Sequence, residues 1–167
     1  MSNMLTSLSL RTKIQLGAII SLLVLVFSLF LSQMADPSIA PLFALKRIQE
    51  KVFMKMKTTP TDRLEYMSLM LDSRLNELNS IVRGKNYDHV LYSSLRYSTL
   101  AGQMSEEVLT NNLNLRVDAV RKQFSDHLVI LNDIYVFYPK NTSNLEYKYI
   151  EDDINYLKIY LDKLSAI

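Results

Sequence analysis

The chain of 167 residues has no cysteine and no tryptophan, and it contains only three glycines and four prolines. The lack of cysteine excludes a disulfide scaffold, a thiolate metal site and a cysteine nucleophile. So few glycines and prolines exclude collagen-like and glycine-rich linker sequences, and they argue against an all-β chain, which needs many tight turns. A glycine-rich phosphate-binding loop is excluded for the same reason.

The net charge is small and lies at one end of the chain. Lysine and arginine together number 19, and aspartate and glutamate together number 17. Arg11 and Lys13 precede the long hydrophobic run, so residues 36–167 hold 17 basic and 17 acidic side chains. A neutral domain is a poor match for the phosphate backbone of a nucleic acid. We therefore expect no nucleic-acid partner.

No charged residue occurs between Ile14 and Ala35, and the run has no polar face. As a helix it would be about 33 Å long, which matches the hydrocarbon thickness of a bilayer. The run therefore predicts a transmembrane helix over residues 14–35. The predicted membrane-spanning side chains include Ile14, Leu16, Leu22, Leu25, Phe27 and Leu31.

A cleaved signal peptide is the alternative interpretation of this run. The run is longer than the usual hydrophobic region of a signal peptide. In addition, Gln33 fits poorly as the small residue that is expected two positions before a cleavage site at Ala35. These two features favour a signal-anchor that stays uncleaved.

The numbers of basic residues near the two ends of the anchor are almost equal, so charge does not decide its orientation. The lengths of the segments on its two sides do. The stub of residues 1–13 is too short to fold, so we expect it to stay in the cytoplasm. A long domain is translocated largely regardless of its charge. The sequence thus predicts a single-pass protein of the cell (inner) membrane, with a linker at 36–40 and an extracytoplasmic domain at 41–167.

Behind the linker, apolar residues recur three or four positions apart, as is typical of amphipathic helices. Pro41 fits the start of the first helix, Thr59 and Pro60 open the second, and Gly84 is expected to end it in a left-handed conformation. The predicted helices are A (about 41–57), B (about 60–83), C (about 87–109), D (about 113–138) and E (about 144–165), with a capping box from Ser143 to Glu146 before E.

Each predicted helix carries one apolar stripe that it would expose to water on its own. Helix B has heptad spacing, helix D has the most regular stripe, and the stripe of helix C mixes small and large residues. The stripes are Leu42, Leu45, Ile48, Val52 and Met56 in A; Leu64, Leu71, Leu75, Leu78 and Val82 in B; Leu91, Ser94, Leu95, Ser98, Ala101, Ser105 and Val108 in C; Leu113, Val117, Val120, Phe124, His127, Leu131, Ile134 and Tyr138 in D; and Ile150, Ile154, Leu157, Leu161 and Leu164 in E. The sequence therefore predicts an all-α fold, an antiparallel bundle of four to five amphipathic helices behind one transmembrane helix.

The only two histidines, His89 and His127, each follow an aspartate, Asp88 and Asp126. A metal site would require these side chains to converge, and the chain has no His-Glu-x-x-His motif. His127 lies on the apolar stripe of helix D, which favours a hydrogen-bonded core histidine; a pH-responsive residue is the alternative. No Gly-x-Ser-x-Gly motif occurs, so we expect no catalytic residue, no cofactor and no metal.

Helix A is basic, because Lys46, Arg47, Lys51 and Lys55 stand against one acidic residue, Glu50. One interpretation is that this surface faces anionic lipid headgroups or a partner just beyond the anchor. The other is that the charges form a solvated face while the apolar stripe of the helix joins the bundle.

Two blocks of sequence carry a resemblance to a known family. They are Pro41, Leu42 and Phe43 followed by Lys46, Arg47 and Glu50, and then Arg74, Leu75, Glu77 and Leu78. The pattern resembles a bacterial family of unknown function whose members read Pro, then Leu-Tyr/Phe, then Lys-Arg-x-x-Glu. The resemblance implies one N-terminal membrane helix followed by an extracytoplasmic helical domain, and it implies no established activity, ligand or catalytic residue. Phe43 departs from the commoner tyrosine.

These observations predict a non-catalytic, membrane-anchored helical bundle that contacts the lipid bilayer and binds a protein partner or an envelope component, with self-association left open. A sensory or regulatory input domain is the alternative. It would act through a separate membrane partner, because residues 145–167 carry eight charges and cannot return across the membrane. A third hypothesis is a small enzyme or metal-binding protein that uses the two Asp-His pairs.

Overall fold

The computed structural model describes residues 10–33, 40–140 and 145–166, and all regular secondary structure in these ranges is helical. Its α-helices are α1 (Leu10–Gln33), α2 (Ala40–Met56), α3 (Pro60–Arg83), α4 (Val90–Thr110), α5 (Val117–Phe137) and α6 (Tyr147–Ser165). The prediction of an all-α chain is confirmed. Most of the predicted stub and linker, and Ser143 of the predicted capping box, lie outside the described residues.

The chain divides into two compact units, Met1–Val52 and Phe53–Ile167. The first unit contains α1 and most of α2, and the second contains α3 to α6. The bundle is therefore built from four helices, and the boundary between the units falls inside α2 rather than before it.

In the second unit, α3 and α6 each pack against both α4 and α5, so α4 and α5 face each other across the diagonal of a four-helix bundle. The side-chain pairs between helices show their relative directions. Helices α3 and α4 are antiparallel, as are α5 and α6, whereas α3 and α5 are parallel, as are α4 and α6. The pairs are Arg63–Glu107 and Glu77–Arg96; Tyr135–Tyr147 and Phe124–Tyr160; Glu65–Arg116 and Arg83–Asp133; and Ser94–Tyr149 and Gly102–Tyr160. The prediction of an antiparallel bundle is thus right for the first two pairings and wrong for the other two.

The face of α4 that carries small residues is the face against which α6 packs. The predicted small positions Ser94, Ser98, Ala101 and Ser105 are all buried. A methyl group added at Gly102 would lie 2.8 Å from the hydroxyl oxygen of Tyr160, so a larger residue there would require the end of the Tyr160 side chain to shift. Close approach on this face draws α4 to α6 and leaves α5 at the diagonal position.

The core otherwise consists of the predicted stripes. Buried residues recur three or four positions apart on each of the four helices, which leaves one apolar face per helix out of water. All predicted core positions of helix B are buried, and helix D is buried from Val117 to Tyr138 along its stripe. Leu95 is an exception, because this predicted core residue of helix C is exposed.

The predicted first and last residues of α3 can be compared with the structure. The hydroxyl of Thr59 accepts a hydrogen bond from the backbone N–H of Asp62 at 3.1 Å, as its position before Pro60 predicts. The prediction for Gly84 is wrong by one residue. Gly84 has a φ of −76°, and the left-handed residue is Lys85, with a φ of 60°.

Candidate functional site

The predicted membrane span overlaps α1, whose described apolar side chains are exposed. Ile14, Leu16 and Phe27 have no cover from the rest of the described chain, and Phe27 is 66% exposed. The other predicted membrane-spanning residues belong to the same helix; they are Leu22, Leu25 and Leu31. Within the described residues, no helix combines the length and the apolar character that crossing a bilayer requires. The transmembrane helix stays a prediction.

A second uncovered apolar surface lies on α2. Ile48, Val52 and Met56 follow each other at four-residue intervals and are exposed, Val52 at 50% and Met56 at 67%. The interpretation that the stripe of this helix is core is therefore wrong for these three residues. Met54 takes the core position instead and packs against the bundle.

A basic row runs beside this apolar row. Arg47, Lys51 and Lys55 are exposed and also stand four residues apart, one position before each apolar residue. Lys46 is only 9% exposed. A step of one residue turns a side chain by about 100° around a helix, so Lys46 does not line up with this basic row. The headgroup- or partner-facing surface at Lys46, Arg47, Lys51 and Lys55 stays a prediction.

The residues of the predicted family motif fall on two helices. Pro41, Leu42 and Phe43 belong to the first turn of α2. Lys46, Arg47 and Glu50 lie further along the same helix. Arg74 and Glu77 lie on α3 and join it to α4. A carboxylate oxygen of Glu77 lies 3.0 Å from Arg96 Nη1, and Arg74 Nη1 donates to the backbone carbonyl of Arg96 at 2.5 Å. This pair has a structural role, since both partners are largely covered.

A chain of hydrogen bonds leads from the surface into the bundle core through His127. Nε2 of His127 lies 2.9 Å from Oδ1 of Asp72 on α3, and Nδ1 lies 3.0 Å from the hydroxyl of Tyr97 on α4. Gln123 donates to the same Asp72 oxygen at 2.6 Å and to the backbone carbonyl of Ser68 at 3.0 Å. The prediction of a hydrogen-bonded core histidine at position 127 is confirmed.

The partners of His127 fix the roles of its two ring nitrogens. A carboxylate only accepts hydrogen bonds, so Nε2–H donates to Asp72 and Nδ1 accepts from the hydroxyl of Tyr97. Burial lowers the pKa of His127, against the hydrogen bond and the charge of Asp72, which raise it. Burial also raises the pKa of Tyr97 well above its ordinary value, with the charges of Asp153 and Asp72 acting in the same direction. The network thus consists of a neutral histidine that is hydrogen-bonded to the carboxylate of Asp72 on one side and to the neutral phenol of Tyr97 on the other.

Asp153 is a buried acid on the side of α6 that faces α4. It is 1% exposed, and burial raises its pKa to about 8, against the nearby hydroxyls of Ser94 and Ser98, which lower it. These hydroxyls donate elsewhere, Ser94 to the carbonyl of Tyr149 at 2.9 Å and Ser98 to the carbonyl of Ser94 at 3.1 Å. Within the described ranges, Oδ2 of Asp153 has no hydrogen-bond partner. The carboxyl group is therefore mainly protonated at neutral pH.

A groove of about 390 Å³ opens on the surface between α3 and α5, next to the start of this network. Its apolar lining includes Leu64, Leu69 and Val120, and Leu69 is 68% exposed. Ser68 and Gln123, the two residues that lead to Asp72, also line it. The groove thus joins an exposed apolar surface to the polar network of the core.

The two Asp-His pairs do not form a joint site. His89 closes the one-turn 3₁₀ helix Tyr87–His89 before α4, whereas His127 lies within α5 with both ring nitrogens already hydrogen-bonded. Among the residues that the structure describes, no three histidine or carboxylate side chains are placed to hold a metal ion.

Sequence reasoning missed Asp72, Tyr97 and Asp153. For Tyr97 and Asp153 a signal was present, because a polar residue stood at an apolar position of the repeat, whereas Asp72 is exposed and lies off the stripe. Asp153 continues the three-and-four spacing from Ile150 to Leu157, and Tyr97 does the same from Ser94 to Ala101. A carboxylate on an apolar stripe predicts burial with a raised pKa.

Comparison of the chain with protein families, with curated proteins and with solved structures gives no match. The resemblance to a bacterial family of unknown function stays a prediction.

Proposed function

We propose that the protein is a single-pass, membrane-anchored helical bundle that serves as a non-catalytic interaction module. In this proposal α1 is the uncleaved anchor, the stub before it is cytoplasmic, and the bundle of α3 to α6 lies outside the cell membrane. The observation that carries the proposal is the exposed apolar surface of α1. Contact of this surface with water is unfavourable, and the acyl chains of a bilayer would remove that contact. The proposal relies on the whole charge-free run from Ile14 to Ala35, part of which lies outside the described residues.

The role in interaction is supported by the groove between α3 and α5. Leu69 is exposed at the edge of this groove, which gives an incoming apolar side chain somewhere to pack. The sequence carries none of the catalytic motifs considered above, and its neutral domain offers little to a nucleic acid. We therefore assign the groove to a protein partner.

Fractionation tests the anchor. We expect the full chain to sediment with membranes and to resist extraction at alkaline pH. The double substitution Leu23→Arg with Val24→Arg on α1 should release it, because a charged side chain at the centre of a bilayer costs about 3 kcal/mol on insertion scales. The matched control, Val129→Arg with Val136→Arg on exposed positions of α5, should stay with the membrane. A wild-type chain recovered whole from the soluble fraction without detergent would contradict the proposal.

Orientation and partner binding require separate measurements. Protease added to intact cells should digest the bundle only if it lies outside the membrane, and lysed cells provide the reference. A pull-down with the detergent-solubilised full chain should recover a protein that Leu69→Asp loses and Val129→Asp retains. Equal recovery with both variants would argue against the groove as the binding surface.

The alternative, a sensory or regulatory input domain, is favoured by one observation. The hydrogen-bond chain from Gln123 through Asp72 to His127 links the groove to the core, so an occupant of the groove would act on buried groups. A partner with a regulatory effect should shift the ring-proton resonances of His127 on binding. A partner that leaves those resonances unchanged would support simple attachment.

A further inference from the structure

The exposed face of α2 combines two rows of side chains that belong together chemically. The apolar row is Ile48, Val52 and Met56, and the basic row beside it includes Lys51 and Lys55. We name these five residues the α2 interfacial face. Residues four apart lie nearly above one another on a helix, so these apolar and basic side chains share one side of α2 over about two and a half turns.

Such a face has one environment that satisfies both rows. An apolar row needs a medium without water, and lysines at its edge keep their ammonium groups in a polar, negatively charged layer while their stems lie on apolar material. The boundary between lipid headgroups and acyl chains of an anionic membrane supplies both layers within a few ångströms. We propose that the α2 interfacial face docks flat on an anionic lipid surface, with Ile48, Val52 and Met56 at the level of the upper acyl chains.

The position of α2 in the sequence makes this docking feasible. Residues 34–39 separate the end of α1 at Gln33 from the start of α2 at Ala40. Even fully extended, that segment spans at most about 25 Å. If α1 is the anchor, α2 begins within reach of the headgroups, and the tether makes the local lipid concentration high. The inference rests on the proposed function in this respect.

The composition of α2 also favours lipid over a second copy of the chain. A second α2 would bring another basic row against the first, and like charges repel at close range. An anionic bilayer attracts the same row, at about a fivefold gain in binding for each lysine near the surface.

The absence of cysteine allows a site-specific test on the full chain. A single introduced cysteine at Val52→Cys carries an environment-sensitive fluorophore, and the chain is reconstituted into vesicles of phosphatidylcholine with or without phosphatidylglycerol. We expect a shift of emission to shorter wavelength and quenching by a lipid spin-labelled near the headgroup, both in anionic vesicles. The matched label at Val129→Cys, an exposed apolar position of α5, should show neither effect.

Charge reversal separates lipid docking from general stickiness. Lys51→Glu with Lys55→Glu should lower the docked-to-free ratio of α2 at least about 30-fold, since each lysine supplies about a fivefold factor. The charge-matched control, Lys148→Glu with Lys158→Glu on exposed positions of α6, should leave the ratio unchanged.

Each outcome decides between the two proposals. A chain that stays in the vesicles while the label at position 52 remains in water overturns docking and leaves the anchor standing. Equal signals in zwitterionic and anionic vesicles overturn the electrostatic part and with it the proposal as stated. A chain that elutes free of the vesicles overturns both.

Discussion

The hydroxyl of Tyr97 lies 3.0 Å from Nδ1 of His127, although the two residues belong to helices at opposite corners of the bundle. This contact crosses the core on the diagonal that α4 and α5 form. It ties together two helices that share few other contacts, and it ends a polar chain that begins at the surface with Gln123. The core is therefore held partly by a specific polar network rather than by apolar packing alone.

The first prediction concerns this contact. Tyr97→Phe keeps the ring but removes the hydroxyl, which leaves Nδ1 of His127 buried without a donor. An unsatisfied buried acceptor costs about 1–3 kcal/mol, so the free energy of unfolding should fall by that amount in urea titrations of the full chain in detergent. Tyr156→Phe is the control, because Tyr156 is exposed and its ring stacking on Tyr160 survives the substitution. Equal stability of the two variants would show that the hydrogen bond contributes nothing measurable.

The second prediction concerns the pH dependence of stability. The pKa of Asp153 is about 8 in the folded chain, against an ordinary value of 3.8 when unfolded. Between these values the folded state holds a proton that the unfolded state has lost, so stability falls as the pH rises from about 4 to about 8. The contribution is complete at the acid end of this window and is lost at the alkaline end, with a change on the order of a few kcal/mol.

Asp153→Asn tests this dependence, because an amide keeps the shape of the protonated carboxyl and does not ionise. The difference in unfolding free energy between wild type and variant should change steadily across the window and level off above pH 8. Taking the difference cancels the contribution of His127, which titrates in both proteins. A difference that is independent of pH would show that Asp153 is ionised in the folded state.

The third prediction compares two ion pairs of the same charge and different burial. Glu77 and Arg96 have side chains that are 6% and 11% exposed, whereas Glu65 and Arg116 are 57% and 45% exposed. Glu77→Gln should destabilise the bundle by about 3–5 kcal/mol, because it removes the carboxylate charge that lies against a largely covered guanidinium. Glu65→Gln should cost less than about 1 kcal/mol, since water screens that pair. Chemical denaturation of both variants in parallel measures the contrast, and similar losses would contradict it.

The fourth prediction concerns the close approach of α4 and α6. Gly102→Ala improves helix propensity by about 1 kcal/mol but places a methyl group 2.8 Å from the hydroxyl oxygen of Tyr160. In wild type the two effects oppose each other, whereas in a Tyr160→Phe background the clash with the oxygen disappears. A double-mutant cycle should therefore give a coupling energy of about 1 kcal/mol, with alanine favoured only in the phenylalanine background. Additive effects would mean that Tyr160 moves aside freely.

The sequence predicted one member of the polar network in the core, His127, but not its partners. His127 was assigned to the core correctly because its position on the stripe of helix D is a local property. Its partners Asp72 and Tyr97 lie 55 and 30 positions away in the sequence. No local pattern specifies which of many aspartates and tyrosines will meet it, since that depends on how four helices are arranged.

The exposed face of α2 shows the opposite error. Its apolar stripe has the same spacing as the stripes of α3 and α5, so the periodicity alone assigned it to the core. An apolar stripe predicts that one face of the helix is removed from water, but it does not show whether the bundle, a partner or a lipid surface covers that face. The basic row beside the stripe left a headgroup- or partner-facing surface open as the alternative, and the exposure of Ile48, Val52 and Met56 argues against the core interpretation.

The sequence by itself determined the helical elements, most of their ends, and which face of α3, α5 and α6 is apolar, because spacing, capping residues and proline act within a few residues along the chain. Only the tertiary structure decided that α4 lies beside α6 and diagonal to α5, that the carboxyl group of Asp153 is buried, and that three apolar residues of α2 are exposed. These outcomes depend on the shapes and volumes of side chains from distant segments, such as Gly102 against Tyr160, and close packing selects among arrangements that the periodic pattern leaves equal.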